Sequence, residues 1–110
     1  MPKGQFIGEF ELYVMLAIAH SGEAGYGLAI RQAIAERTGR DPAIGAVYGT
    51  LGRLLDKGLV QFRVSDPLPV SGGRARKCYR LTPAGQRALR HSTAMLARML
   101  EGWAPGAQKS

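Results

Sequence analysis

Two short segments with alternating apolar and polar side chains, 59–65 and 76–81, flank the stretch 66–73, which contains two prolines and two glycines. Alternation over this length predicts half-buried strands, whereas proline and glycine interrupt a sheet. We therefore predict a single β-hairpin with a long tip, which leaves helices as the main elements of the fold. The predicted inward side chains are Val60, Phe62 and Val64 in the first strand and Tyr79 and Leu81 in the second, with Arg76, Cys78 and Arg80 on the opposite face.

The remaining segments carry apolar residues at helical spacing. Residues 9–20 are apolar almost throughout, which is typical of a largely buried helix, and Glu9 and Glu11 favour its first turn. The predicted helices are 9–20, 27–38, 43–57 and 83 to about 100. The predicted buried stripe of the third helix is Val47, Leu51, Leu54 and Leu55.

Proline and glycine mark the ends of these helices. Asp41-Pro42 and Thr82-Pro83 each combine an N-cap residue with a proline that suits a first turn, and a start one or two residues later is the alternative for the third helix. Gly39 ends the second helix, so about four residues join it to the third, which is typical of a helix-turn-helix.

The order of elements defines the predicted fold. Three helices, two strands and a further helix predict a mainly α fold with a small two-stranded β-hairpin, that is, a winged helix-turn-helix followed by a C-terminal dimerisation helix. We assign residues 1–82 to the winged unit, 83–104 to the last helix of the same compact unit, and 105–110 to a disordered tail.

The net charge of +7 is concentrated in one part of the chain. No acidic residue occurs between Asp66 and Glu101, and this interval contains seven basic residues. A one-sided basic segment on a small domain indicates a polyanion partner, with a solvated surface as the alternative.

Other classes of protein find little support in the sequence. Cys78 is the only cysteine, which excludes an internal disulfide and a cysteine zinc site. His20 and His91 have no ligand spacing around them, so we expect no metal, no cofactor and no enzyme activity. No apolar run reaches the length of a membrane span, and we expect a cytoplasmic protein. We expect Cys78 to be a packing residue, with redox sensing as the alternative.

Three segments of the sequence resemble motifs of the PadR family of bacterial transcriptional regulators. Gly25-Tyr26-Gly27 is similar to the family's His-Gly-Tyr stretch. Residues 45–54 and 57–60 are similar to its Gly-Thr-Leu-Tyr-Pro-x-Leu-x-Arg-Leu recognition-helix motif and the Gly-Leu-Val/Ile that follows, and residues 76–85 resemble its Arg-Lys-x-Tyr-x-Leu-Thr-x-x-Gly. The resemblance covers roughly residues 8–100 and implies a DNA-binding regulator of the short type with a single C-terminal helix.

The sequence departs from the family pattern at three positions. Ala46 stands where the family has threonine, Gly49 where it has proline, and Ala24 where it has histidine. Alanine at position 46 lacks a hydroxyl that contacts phosphate or base, so Tyr48 and the backbone are expected to make more of the contact.

In a helix-turn-helix the N-terminal residues of the second helix of the motif reach base edges in the major groove. The predicted recognition-helix contacts are Ala43, Ile44, Ala46, Tyr48, Gly49 and Arg53, and those of the wing and its approach are Tyr26, Arg74, Arg76 and Lys77. Arg53 suits a bidentate contact to guanine, or else a salt bridge to Asp56 or Asp41. Tyr48 is either a DNA contact or a core residue, Tyr26 either a packing residue or a phosphate donor, and the wing cations either bind phosphate or are solvated.

The last helix is the predicted dimer element, because one domain reads few base pairs and a dimer reads two half-sites of a palindrome. Its predicted interface residues are Leu89, Met95, Leu96, Met99, Leu100 and Trp103. The alternative is that this stripe completes the core of a single chain. The resemblance implies dimerisation through this helix and the first one, and binding of flat aromatic effectors on which Trp103 stacks.

The sequence thus predicts a homodimeric repressor that binds double-stranded DNA. An RNA-binding or a protein-interaction winged-helix module is the alternative.

Overall fold

The computed structural model of the 110-residue chain describes residues 7–65 and 76–103. Within these ranges the elements follow one another in the predicted order. They are α1 (Glu9–Ser21), α2 (Gly27–Thr38), α3 (Ile44–Asp56), β1 (Val60–Val64), β2 (Lys77–Leu81) and α4 (Pro83–Leu100). The mainly α architecture with one two-stranded antiparallel hairpin is therefore confirmed.

The two predicted N-caps differ in outcome. Thr82 caps α4, because its Oγ1 accepts a hydrogen bond of 3.0 Å from the Gly85 amide, and Pro83 occupies the first turn. The Asp41-Pro42 cap was wrong, since α3 begins after Ala43 without a side-chain cap. The carboxylate of Asp41 pairs instead with the guanidinium of Arg31 on α2, which fastens the turn between the two helices.

The core lies where α1, α2 and α3 meet, with β1, β2 and the start of α4 closing it. Val47, Leu51 and Leu54 are fully buried, as the apolar spacing of α3 predicts, and Thr50 is buried beside them, whereas Leu55 is only partly buried. The buried hydrophobic side chains of the helices are Val14, Met15, Ala17, Ile18, Ile30, Ile34, Val47, Leu51, Leu54, Ala88 and Leu89.

The hairpin is less buried than its alternation predicts. Val60 is buried, but Phe62 is 38% exposed and Val64 61% exposed, so the prediction of a half-buried first strand was wrong beyond its first residue. The register pairs Val60 with Leu81 at the core and Val64 with Lys77 at the far end. The outer half of β1 is therefore exposed, although it pairs with β2 along its whole length.

The second strand packs against the segment before α2. The Tyr79 amide donates to the Gly25 carbonyl at 2.7 Å, and the Cys78 thiol contacts the Glu23 carbonyl at 3.2 Å. This contact buries Cys78 together with Tyr79, which agrees with Cys78 as a packing residue, although it lies on the strand face opposite Tyr79. A Cβ at Gly25 would lie 2.1 Å from the Tyr79 carbonyl oxygen, which explains the glycine.

The last helix changes character along its length. Ala88 and Leu89 are buried against the rest of the chain, whereas the side chains from Met95 to Trp103 are exposed. Leu89, which its helical spacing assigns to a subunit interface, is a core residue of the single chain because the first half of α4 packs on α1 and β2. Among the described residues, no helix combines the length and apolarity needed to cross a membrane.

Candidate nucleic-acid interface

The outward side of α3 presents the residues predicted to contact DNA. Ala43, Ile44, Ala46, Tyr48, Gly49 and Arg53 are all exposed. Tyr48 is 47% exposed, and the neighbouring Val47 is fully buried, which agrees with Tyr48 as a surface contact rather than a core residue.

A line of three glycines runs along the middle of this side. Gly45, Gly49 and Gly52 follow one another at helical spacing, which places them on one face. A Cβ at Gly45 or Gly52 would meet nothing within 4 Å, and one at Gly49 would meet only Arg53 Nη1 at 3.9 Å. Each interior helical glycine costs about 1 kcal/mol relative to alanine, and no contact within the described chain requires these glycines. We call this line the glycine stripe.

Tyr48 connects the glycine stripe to the beginning of α2. A Cβ at Gly27 would lie 2.4 Å from the Tyr48 hydroxyl, so glycine allows the phenol to lie across the first turn of α2. Tyr26 is the N-cap of α2 and makes no side-chain cap. Burial raises the pKa of Tyr79, and the Tyr48 phenol raises it further.

The wing brings two exposed cations to the same cleft. The guanidinium of Arg76 lies 4.0 Å from the centre of the Tyr26 ring, and the Lys77 ammonium lies 4.6 Å from the centre of the Phe62 ring. Tyr26, Gly27, Leu28, Tyr48, Arg76 and Lys77 line one cleft between α2, α3 and β2. Of the predicted wing residues, Arg74 lies outside the described part of the chain.

Among the described residues, Arg53 does not form the salt bridge to Asp56 or Asp41 that was the alternative to a guanine contact. Its Nε lies 3.8 Å from Glu11 Oε2, and its Nη2 donates a 2.8 Å hydrogen bond to Thr50 Oγ1. The sequence did not lead us to place Glu11 in the site, because an acidic residue is favoured in the first turn of any helix and needs no further explanation there. The signal that could have identified it is a carboxylate within an otherwise apolar run, since such a group is buried only as part of an ion pair.

Glu11 is the centre of a small charged network between α1 and α3. Its carboxylate accepts from the Gly8 amide at 2.9 Å and from Lys57 Nζ at 2.9 and 3.0 Å. Burial alone would raise the pKa of Glu11, but the Gly8 amide, Lys57 and Arg53 together lower it below its ordinary value. The carboxylate is therefore ionised at neutral pH and holds the two helices together.

This network predicts a loss of stability in acid. A carboxyl whose pKa is lower in the folded chain stabilises the fold above its unfolded-state pKa, and this contribution disappears as the pH falls through the folded-state value. We expect Glu11→Gln to reduce the free energy of unfolding by about 1–3 kcal/mol at neutral pH, with a smaller difference from the original chain in acid. Urea unfolding across pH measures this, and Glu9→Gln, which alters an exposed carboxylate on the same turn, is the control. If Glu11→Gln and the original chain differ in free energy of unfolding as much in acid as at neutral pH, the stabilising role of the ionised Glu11 carboxylate is contradicted.

Comparison with known proteins identifies the class. A helix-turn-helix with a hairpin wing, an exposed second motif helix and wing cations in one cleft defines a winged helix-turn-helix protein of the DNA-binding type. Residues 15–91 match the transcriptional regulator PadR-like family, and the chain belongs to that family. It is accordingly a DNA-binding transcription regulator, as the resemblance implies.

Solved structures agree with this assignment. A PadR family transcriptional regulator from Eggerthella lenta is 27% identical with a TM-score of 0.67, and the match covers 92% of this chain and 89% of that one. A PadR-like transcription factor from Bacteroides fragilis is 25% identical with a TM-score of 0.69 and 84% coverage of each chain. RosR of H. salinarum is 26% identical with a TM-score of 0.69, covering 90% of this chain and 82% of that one. The comparison with curated proteins gave no match.

A metal site finds no support in the geometry. Over residues 7–65 and 76–103, no group of three or more histidine, cysteine or acidic side chains is arranged to hold a metal ion.

Proposed function

We propose that the chain is a homodimeric repressor that binds a palindromic operator in the cytoplasm. The carrying observation is the cleft in which Tyr48 of α3 meets Arg76 and Lys77 of the wing. A helix face without long side chains suits close approach to bases, and cations on the flanking wing suit the phosphate backbone. Occupancy of an operator that overlaps a promoter excludes other proteins from it, so repression is the expected outcome.

The exposed half of α4 supports the homodimer. Met95, Leu96, Met99 and Leu100 are exposed and share one face of the helix by their spacing, and the exposed Trp103 follows shortly after the end of the helix. Contiguous apolar surface of this kind, rich in methionine and aromatic side chains, is typical of the core of a protein interface. We call this surface the α4 apolar face and propose that it packs against the second subunit.

A small aromatic effector is a further part of the proposal. Trp103 is 58% exposed at the end of the α4 apolar face, and its indole offers a flat surface on which an aromatic ring can stack. Binding of such a molecule between subunits would alter the distance between the two recognition helices and release the operator. Quenching of the single tryptophan's fluorescence by candidate aromatic compounds tests this, and free tryptophan at the same concentration is the control for collisional quenching.

Selection of binding sites from a random duplex library tests the function itself. We expect enrichment of a palindromic sequence that the protein binds in preference to a scrambled duplex and to structured RNA. Preference for RNA would support the RNA-binding alternative, and the absence of any nucleic-acid binding would support a protein-interaction module.

The salt dependence of binding tests the role of the wing. Removal of one phosphate ligand reduces the slope of log affinity against log salt by about 0.9. We expect Lys77→Ala to reduce the slope by roughly this amount on specific and scrambled DNA alike, whereas Arg87→Ala, an exposed cation of α4, should leave it unchanged. Equal slopes for Lys77→Ala and the original chain would exclude Lys77 as a phosphate ligand.

A further inference from the structure

The guanidinium of Arg53 contacts two different groups. Nε is paired with the Glu11 carboxylate, and Nη2 is bonded to the Thr50 hydroxyl. Nη1 takes part in neither contact and lies beside Gly49, at 3.9 Å from where a Cβ would stand. The arrangement therefore directs one edge of the guanidinium toward the glycine stripe, where no side chain covers it.

The two groups that hold Arg53 are themselves well anchored. Thr50 is 1% exposed, and the side chain of Glu11 is 10% exposed and bonded to the Gly8 amide and to Lys57. Side chains fixed in this way lose little further freedom when they orient a neighbour. Arg53 itself is 60% exposed, so it remains accessible to a ligand in front of α3.

We propose that Glu11 of α1 is a positioning residue that orients Arg53 to read bases. This inference rests on the proposed function, in which α3 enters the major groove. An arginine free to move binds the nearest phosphate, and such contacts carry no sequence information. An arginine held against α3 presents its donors to base edges at one place, and a good contact of this kind discriminates strongly between bases. Glu11 thus orients Arg53 so that this cation of the recognition helix discriminates between base sequences instead of binding phosphate without sequence preference.

The test compares two glutamate variants with the same change of charge. Binding of the original chain, Glu11→Gln and Glu9→Gln is measured on the duplex selected from the random library and on its scrambled counterpart, over a range of salt. Glu9 lies on the first turn of α1 with an exposed side chain and lies near Arg40 rather than Arg53. Both variants therefore gain the same net charge, and only Glu11→Gln removes the carboxylate that contacts Arg53 and Lys57.

For Glu11→Gln we expect the ratio of specific to scrambled affinity to fall about tenfold, within the discrimination that one base contact provides. On the scrambled duplex, the slope of log affinity against log salt should become steeper by about 0.9, because the released Arg53 neutralises one more phosphate. Glu9→Gln should keep both the ratio and the slope of the original chain. Arg53→Gln should reduce the ratio of specific to scrambled affinity without making the salt dependence on the scrambled duplex steeper.

Thr50→Val provides a second variant that leaves the Glu11 network intact. It removes the acceptor of Arg53 Nη2 with nearly the same side-chain volume, and we expect a smaller fall in the ratio in the same direction. If Glu11→Gln and Thr50→Val are both folded and both keep the ratio and slope of Glu9→Gln, the inference is overturned. If the original chain selects no sequence from the library, the proposed function fails instead.

Discussion

Alanine at both Gly49 and Gly52 is expected to raise the free energy of unfolding by about 2 kcal/mol while weakening DNA binding at least roughly tenfold. The stability gain follows because both positions lie within α3 and a Cβ there has room. The weaker binding follows because two methyl groups would separate the helix backbone from the base edges. Thermal or urea unfolding and a binding titration on the same preparation measure the two effects.

A glycine in another conformation provides the matched control. Gly58 also has open space around its Cβ position, but its φ is +74°, where alanine is strained. Gly58→Ala should therefore lower stability, by about 1 kcal/mol, without a direct effect on the DNA-contacting face. Stabilised Gly49 and Gly52 variants with unchanged DNA affinity would show that the glycine stripe is not a contact surface.

A glutamate in place of Met99 is expected to separate the proposed dimer into monomers. Met99 is 81% exposed in the single chain, so the substitution should leave the fold of each subunit intact. In a subunit interface the same change buries an unpaired carboxylate and should raise the dimer dissociation constant by at least roughly 30-fold, about 2 kcal/mol. Sedimentation velocity over a concentration series measures this directly.

Ala94→Glu is the matched control on the same helix. It adds the same charge, but helical spacing places Ala94 opposite the α4 apolar face, with Arg90 and Arg98 one turn away on either side. We expect this variant to stay dimeric. Dimers of unchanged affinity in Met99→Glu, or monomers in the original chain, would contradict the proposed role of α4.

A linked decrease in operator affinity is expected in the Met99→Glu variant. A monomer reads one half-site, so its binding to a palindrome lacks the contribution of the second recognition helix. Affinity for scrambled DNA should change much less, which separates this effect from a general decrease in charge attraction.

Local patterns were enough to predict most of the elements. The apolar spacing of Val47, Leu51 and Leu54 correctly indicated the inner side of α3, because residues three or four apart share a helix face regardless of what covers them. Thr82 and Pro83 correctly marked the start of α4, because a cap is made within one turn of chain.

Burial in the hairpin could not be predicted in the same way. Alternation shows that a strand has two different faces, but the number of residues covered depends on how far the strand extends past its neighbours. Phe62 and Val64 are exposed, whereas Cys78 is buried by the segment before α2, which is distant in sequence.

The sequence by itself determined the order of helices and strands, the basic segment and the outward side of the recognition helix, because these depend on residues close together in the chain. Only the tertiary structure decided that Glu11 lies beside Arg53. Lys57 and Glu11 are 46 residues apart, and the contact of α1 with α3 that joins them follows from packing of the whole core. Arg53 could therefore be recognised as a candidate from its position, but its pairing with Glu11 on another helix could not.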